Sequence, residues 1–281
     1  MILITGATGT VGRALVNRLL NVGAPVRAAT RHPDAAALPD AVEVVAADFD
    51  DPPSLSAALD GVDRVFLLSA GPEGPRHDKN LTDAAVRAGV THVVKLSALS
   101  AGEHTATDPI SSWHRAGEET LRQSGLTWTL LRATGFMSNA LAWAGTIRSH
   151  DTVYAPFGEG RTAVIDPRDI AAVAAAVLTT AGHENRAYAL TGPQSLTPAE
   201  QVDVLAEVLE RPLRYVEVRP AVARQAMTQA GMPLVIADAV IALLATSLDG
   251  SSAVALPTIA DITGTPPGTF GQWAHDNSNA Y

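Results

Sequence analysis

Three glycines, Gly6, Gly9 and Gly12, lie close together near the beginning of the sequence. The apolar run Met1–Ile4 precedes them and an amphipathic run with helical spacing follows, which is the pattern of a strand, a turn and a helix. The first glycine lets the chain leave the strand sharply, the second lets the backbone approach a pyrophosphate, and the third lets the helix pack on the sheet. Unpaired N–H groups at the helix N-terminus then hold the phosphates. The other residues of this predicted cofactor-binding loop are Thr8, Thr10 and Val11.

The end of the second predicted strand indicates which dinucleotide binds. NAD sites usually carry Asp or Glu there, about 20 residues after the glycines, to hold the ribose hydroxyls. The corresponding segment of this sequence contains no acidic residue. It consists of Ala28, Ala29, Thr30, Arg31 and His32. The Arg31 guanidinium can instead bind a 2′-phosphate, although a solvated arginine after a strand would look the same. We therefore predict NADPH as the cofactor and NADH as the less favoured alternative.

Residues that follow other predicted strands complete the expected cofactor site. In an open α/β sheet the carboxyl ends of the strands line the ligand crevice. Asp48 and Phe49, after the third strand, are expected beside the adenine, unless Asp48 merely begins a turn toward Asp51. The ends of the fourth and fifth strands add three more predicted contacts, Ser69, Ala70 and Ser97.

Short apolar runs alternate with helical patterns as far as Arg132. Predicted strands cover 1–5, 25–30, 42–47, 62–69, 91–97 and 127–132, and predicted helices cover 12–22, 51–59, 81–88 and 113–124. This alternation predicts parallel pairing through right-handed crossovers, and therefore an α/β fold with a doubly wound parallel Rossmann sheet. Because the glycine turn opens such an array, dinucleotide binding is favoured over an ordinary tight turn.

The remainder of the sequence predicts a different arrangement. Helices are predicted over 166–178, 197–210, 221–230 and 233–247, and short strands over 187–190 and 214–218. We expect a dinucleotide-binding Rossmann domain over 1–191 and a smaller C-terminal α/β substrate lobe over 192–281. Residues 135–160 are expected to contribute to the substrate cleft.

The composition excludes several classes of function. A formal charge of −9 disfavours nucleic-acid binding, which needs a basic face. No cysteine is present, so disulfides and thiolate catalysis are excluded, and the histidines show no ligand spacing, so no metal is predicted. No apolar stretch reaches the roughly 18 residues of a membrane span, and no signal peptide is recognised. We expect a cytoplasmic protein, monomeric or homodimeric, without a membrane partner.

Six motifs along the chain resemble, in order, those of the NmrA-like atypical short-chain dehydrogenases. The likeness is to the branch of NADPH:quinone oxidoreductases and triphenylmethane reductases. The motifs are GATGTVG at 6–12, TRHP at 30–33, SGLTWTLLR at 124–132, FMSN at 136–139, DPRDIA at 166–171 and YALTGP at 188–193. The resemblance implies an NAD(P)H-dependent oxidoreductase. This sequence differs from the family pattern at Ala133, where relatives often carry proline.

The helix after the fifth strand departs further from the family. Short-chain dehydrogenases usually carry Tyr-x-x-x-Lys there, in which the lysine lowers the tyrosine pKa for proton transfer. Residues 113–120 contain neither residue type. His114 and Glu118, four residues apart on one face, are the predicted catalytic pair, or else a pair that only stabilises its own helix. Lys95, inside the fifth strand, is expected to be an edge or snorkelling lysine and not a catalytic amine.

The absence of a proton-donating tyrosine restricts the acceptor. Reduction of an ordinary ketone yields a strongly basic alkoxide and needs an acid, whereas a reduced quinone is a phenolate-like anion with a pKa of about 10. We predict hydride transfer from NADPH to a quinone-like, aromatic or other delocalised electrophilic small molecule. The predicted substrate contacts are Trp113, Phe136, Met137 and Asn139. The alternative is a non-catalytic NAD(P)-binding redox sensor, which would share the fold and the loop.

Overall fold

A computed structural model describes all residues from Met1 to Tyr281. The strands are β1 (Ile2–Thr5), β2 (Val26–Thr30), β3 (Glu43–Ala46), β4 (Arg64–Leu67), β5 (His92–Ala98), β6 (Thr127–Ala133), β7 (Thr152–Ala155), β8 (Arg186–Leu190) and β9 (Arg214–Glu217). The α-helices are α1 (Thr10–Asn21), α2 (Pro52–Ala58), α3 (Gly74–Ala88), α4 (Pro109–Gln123), α5 (Ala144–His150), α6 (Pro167–Thr179), α7 (Pro198–Val208), α8 (Pro220–Gln229), α9 (Leu234–Thr246), α10 (Thr258–Thr263) and α11 (Phe270–Asp276). None of these helices has both the length and the hydropathy needed to cross a membrane.

The main sheet has seven strands in the order β3-β2-β1-β4-β5-β6-β8. β1 pairs in parallel with β2 and β4, β2 with β3, and β4 with β5. The chain runs outward from β1 to β3 and then returns to place β4 on the other side of β1. The connections that leave β1 and β4 therefore diverge and open a crevice at the carboxyl ends of these strands. The predicted doubly wound Rossmann fold is confirmed.

Helices cover both faces of the main sheet. On one face, apolar side chains of α2, α3 and α4 form a buried core with Leu3, Val65, Leu67 and Val93 of the strands. On the other face α1 packs against α6, which also contacts β4 and β5. Because both faces are covered, residues of either parity on β1, β4 and β5 are buried.

Two helices begin earlier than predicted. α3 begins at Gly74 and not near residue 81, and α4 begins at Pro109 and not near residue 113. The first turns of α3 carry exposed polar side chains such as Arg76 and Lys79, so apolar periodicity does not mark them. Pro75 and Pro109 in the first turns are the features that indicate these starts.

The chain divides into two compact units. The first contains residues 1–104, 112–132 and 167–189, and the second contains 105–111, 133–166 and 190–281. In the second unit β7 pairs in parallel with β9, and Phe270 and Trp273 of α11 lie in a core with Val153, Val164 and Leu205. No predicted element corresponds to β7, α5, α10 or α11, because each has at most seven residues and shows too little periodicity.

Candidate active site

The glycine loop between β1 and α1 is a tight turn. Gly6 has a φ of 63°, in the left-handed region that favours glycine. The Gly9 N–H donates to the Gly6 carbonyl oxygen over 3.0 Å. At Gly12 a Cβ would lie 2.1 Å from that same oxygen. Glycine is therefore required at residue 6 by the backbone conformation and at residue 12 by the close packing of α1 on the turn.

The N-terminus of α1 is arranged to receive an anion. The first N–H groups of a helix have no acceptor within the helix and carry a partial positive charge. Gly9 is the N-cap, no side chain caps the helix, and no acidic residue stands in its first turn. Gly9 and Thr10 are exposed, Thr8 is half-buried and Val11 is buried. An uncapped helix N-terminus behind a glycine turn fits the diphosphate of a dinucleotide.

A buried hydroxyl that no sequence motif marks joins β1 to β4 beside the crevice. Thr5 Oγ1 donates to the Phe66 carbonyl oxygen over 3.1 Å and accepts from the Leu68 N–H over 2.8 Å. These bonds fix the two strand ends where the crevice opens. The only sequence signal for Thr5 is its polarity at the end of an apolar strand.

The segments after β2 and β3 hold the predicted adenosine contacts. Arg31 is exposed and no carboxylate pairs with it in the structure. Asp48 Oδ1 accepts from the Asp50 N–H over 2.9 Å, and the Phe49 ring stacks on the His77 ring of α3 with centroids 5.0 Å apart. Asp48 therefore forms a turn, as the alternative interpretation predicts, and its contact with adenine stays a prediction.

The hydroxyl of Ser69, two residues after β4, is bound to a buried ion pair. Ser69 Oγ donates to Asp78 Oδ1 over 2.6 Å, and Lys95 Nζ lies 2.7 Å from Asp78 Oδ2 with both charged side chains at most 1% exposed. The expectation of an edge or snorkelling Lys95 is wrong, because β5 lies between β4 and β6 and Asp78 neutralises the ammonium group. A Cβ at Gly117 would lie 1.8 Å from Asp78 Oδ2, so glycine makes room for the pair. Ala70 is exposed.

The hydroxyl of Ser97 is bound to a second buried carboxylate. Ser97 Oγ donates to Glu118 Oε1 over 2.6 Å. Arg132 of β6 binds Glu118 through two parallel bonds, Nε to Oε1 at 2.9 Å and Nη2 to Oε2 at 2.6 Å, and Arg122 adds a third at 3.0 Å. Burial raises the pKa of the Glu118 carboxyl, but the hydrogen bonds from Arg132 and Ser97 and the arginine charges outweigh it and lower that pKa. Glu118 is therefore ionised and clamps α4 to β5 and β6.

His114 and Glu118, the two residues predicted as a catalytic pair, lie in different environments in the structure. Glu118 is completely buried and its carboxylate is bound by two guanidinium groups and a hydroxyl, whereas His114 on the same helix is half-buried. An ionised carboxylate so held has no proton to donate. Trp113, the neighbouring predicted substrate contact, is also half-buried. His114 and Trp113 therefore stay candidates on α4, and Glu118 belongs to the framework behind them.

The other predicted substrate contacts lie in the second unit. Phe136 is half-buried and Asn139 is exposed. Met137 is 1% exposed and packs in the core of that unit with Ile147 and Val164. Phe136 and Asn139 can therefore contact a ligand without unpacking the core, and Met137 supports them from within it.

The sheet order, the glycine turn and the uncapped helix define a Rossmann-type dinucleotide-binding protein. Residues 6–181 match the family described as NAD(P)H-binding. The chain belongs to this family and is an NAD(P)H-dependent oxidoreductase.

Three similar proteins span the whole chain. It is 43% identical to (4-alkanoyl-5-oxo-2,5-dihydrofuran-3-yl)methyl phosphate reductase of Streptomyces griseus subsp. griseus, with 100% of this chain and 99% of that protein covered. It is 38% identical to an NAD(P)H azoreductase of Xenophilus azovorans, with the same coverage. The structure of an Escherichia coli NADPH-dependent quinone oxidoreductase complexed with NADPH is similar with a TM-score of 0.88 and 28% identity, over 99% of this chain and 100% of that one. The predicted enzyme class is confirmed.

Proposed function

We propose that this chain reduces a conjugated, electron-poor small molecule, such as a quinone, with NADPH as the hydride donor. The observation that carries the proposal is the residue content of α4, the helix on which short-chain dehydrogenases usually carry a proton-donating tyrosine. The four tyrosines of this chain stand at 154, 188, 215 and 281, and none of them is on α4. The glycine loop fits a hydride-donating nucleotide, whereas the tyrosine that usually protonates the reduced acceptor is absent from α4.

The chemistry of the acceptor follows from that absence. An acid contributes about 10²- to 10⁴-fold to the reduction of a ketone, which otherwise yields a basic alkoxide. A conjugated acceptor spreads the incoming negative charge, so it can accept the hydride by proximity to the donor before any proton is transferred. The names of the similar proteins specify an acyl-substituted unsaturated lactone, an azo compound and a quinone, all of them conjugated acceptors.

NADPH, when bound, supplies a hydride from C4 of its nicotinamide ring. We assign its diphosphate to the amides of the glycine loop and its 2′-phosphate to Arg31, with Asp48 and Phe49 beside the adenine. Ser69 and Ser97 already donate their hydroxyl hydrogens to buried carboxylates, so toward a ligand their oxygens can only accept. The carboxamide N–H groups of a nicotinamide suit such acceptors.

The residues assigned to the substrate are aromatic or uncharged. They are Trp113, Phe136 and Asn139, the three predicted substrate contacts that are not buried in a core. A tryptophan or phenylalanine ring offers a flat apolar surface to a planar conjugated acceptor, and the Asn139 amide can orient a carbonyl group.

Stopped-flow mixing of the NADPH-loaded enzyme with menadione tests the proposal. The nucleotide is expected to be oxidised about 100-fold or more faster than free NADPH at the same concentrations, because the enzyme holds donor and acceptor together. Only one of the two C4-deuterated NADPH diastereomers is expected to give a primary isotope effect, since a bound nicotinamide exposes one face. A rate no faster than that in free solution would contradict the proposal.

Cyclohexanone is the matched control acceptor, because it lacks conjugation and needs an acid. Its reduction is expected to be at least about 100-fold slower than that of menadione. Equal rates would show that the enzyme protonates an unconjugated ketone efficiently, and would contradict the restriction to conjugated acceptors.

His114 is proposed as the group that delivers a proton to the reduced acceptor. The His114→Ala variant is expected to lose about tenfold in kcat with menadione, because protonation of a stabilised anion needs little assistance. Unchanged turnover would leave His114 a purely structural role.

A further inference from the structure

We propose that Arg13 is a positioning residue that sets the preference for NADPH by holding the Arg31 segment against the phosphate-binding loop. The inference deepens the proposed function and rests on its cofactor assignment. Arg13 is the first residue after the glycine loop and lies in the first turn of α1.

The guanidinium of Arg13 joins two loops that are separate in sequence. Its Nε donates to the Thr8 carbonyl oxygen over 2.9 Å, inside the phosphate-binding loop. Its Nη1 and Nη2 donate to the carbonyl oxygens of Ala37 over 2.8 Å and Ala36 over 3.1 Å. All three bonds come from one rigid, planar group, so the spacing of the two loops is fixed by the dimensions of that group.

The second loop begins with the residue assigned to the 2′-phosphate. Arg31 follows β2 directly, and the segment continues through a short 3-10 helix, Pro33–Ala35, to Ala37. At the near end the His32 N–H donates to Thr30 Oγ1 over 3.2 Å. At the far end the bonds from Arg13 hold the carbonyl groups of Ala36 and Ala37. The segment that carries Arg31 is therefore held at both ends.

The backbone of Ala37 supports an ordering role. Its φ of 44° lies in the left-handed region, which is unfavourable for a residue with a Cβ. Such a conformation persists where surrounding contacts over-determine it. The Ala37 carbonyl is the one that accepts from Arg13 Nη1. Without Arg13 this residue is expected to relax, and the Arg31 segment with it.

Arg13 is not assigned to the phosphate itself, because its donors are already directed at backbone carbonyl oxygens. Loosening the segment is expected to affect the 2′-phosphate contact of Arg31 and to leave the diphosphate contacts of the glycine loop in place. NADPH binding depends on both sets of contacts, whereas NADH binding depends on the second alone. Loss of Arg13 is therefore expected to change selectivity between the nucleotides.

Steady-state kinetics with menadione and either nucleotide test the role of Arg13→Ala. The ratio of kcat/KM for NADPH to that for NADH is expected to fall about tenfold, through KM for NADPH, with kcat and KM for NADH changing less than about twofold. Arg31→Ala is expected to lower the same ratio, and the double variant to lower it no further than Arg31→Ala alone. Arg18→Ala, at an exposed arginine on the same helix, is the matched control and is expected to leave the ratio unchanged.

The remaining outcomes of these kinetics distinguish an error in the role of Arg13 from an error in the cofactor assignment. Equal losses for both nucleotides, accompanied by a lower melting temperature, would reduce Arg13 to a structural role and overturn the inference. Additive losses in the double variant would mean that Arg13 meets the 2′-phosphate itself, which also overturns it. A wild-type enzyme with no NADPH preference would overturn the cofactor assignment, whereas a preference lost in Arg31→Ala but kept in Arg13→Ala would overturn the role of Arg13 alone.

Discussion

The Gly9→Ala variant is expected to fold like the wild type and to bind NADPH about 100-fold more weakly, a loss of about 2.7 kcal/mol. Gly9 has φ −83° and ψ 179°, which any residue adopts, and a Cβ there would have the Gly6 carbonyl oxygen 3.3 Å away as its nearest neighbour. The added methyl group therefore requires a shift of only a few tenths of an ångström in the folded chain. It would, however, stand where the backbone must approach the diphosphate. Calorimetric titration with NADPH and thermal unfolding without nucleotide measure the two quantities.

Two other glycines give the matched comparisons. Gly12→Ala is expected to weaken both binding and folding, because its Cβ would lie 2.7 Å from Ala7 Cα as well as close to the Gly6 oxygen. Gly145→Ala, in α5 with no atom within 4 Å of the new Cβ, is expected to raise stability by about 0.5–1 kcal/mol and to leave binding unchanged. If Gly9→Ala bound NADPH as tightly as the wild type, the assignment of the diphosphate to the glycine loop would be wrong.

Local sequence patterns predict the cofactor half of the site and the sheet that carries it. Gly6, Gly9 and Gly12 lie within one turn, so their spacing alone encodes the geometry of the loop. The alternation of strands and helices fixes parallel pairing, because a strand, a crossover helix and a second strand have one favoured hand. The short elements β7 and α5 give no such pattern, and the pairing of β7 with β9 joins residues about 60 positions apart.

The buried carboxylates show what spacing does not predict. The four-residue interval between His114 and Glu118 predicts a pair on one helix face. Tertiary contacts instead bring Arg132 to Glu118 from 14 residues away and Ser97 from 21 residues away. No spacing rule relates residues on different elements, so the partners of Glu118, and those of Asp78 and Lys95, emerge only from the folded chain.

The Lys95→Met variant is expected to lower the free energy of unfolding by about 3–5 kcal/mol. Methionine fills a similar volume, but it leaves the Asp78 carboxylate at 1% exposure with Ser69 as its remaining donor. An uncompensated charge in the interior is far less favourable than in water, so the folded state of this variant loses free energy relative to the unfolded state. Urea unfolding followed by circular dichroism measures the loss. Lys79→Met is the control, since Lys79 pairs with Asp83 on the surface of α3, and it is expected to change stability by about 0.5 kcal/mol or less.

A double-mutant cycle separates the charge effect from loss of packing. Asp78→Asn combined with Lys95→Met removes both charges while the Asn oxygen can still accept from Ser69. The double variant is expected to be more stable than Lys95→Met alone, with a coupling of at least about 1.5 kcal/mol. Additive losses would mean that the Lys95 side chain contributes by filling space, and that its ammonium group is of little consequence. Recovery in the double variant would show that the interior between α3, α4 and the sheet tolerates an apolar residue at 95 once Asp78 carries no charge.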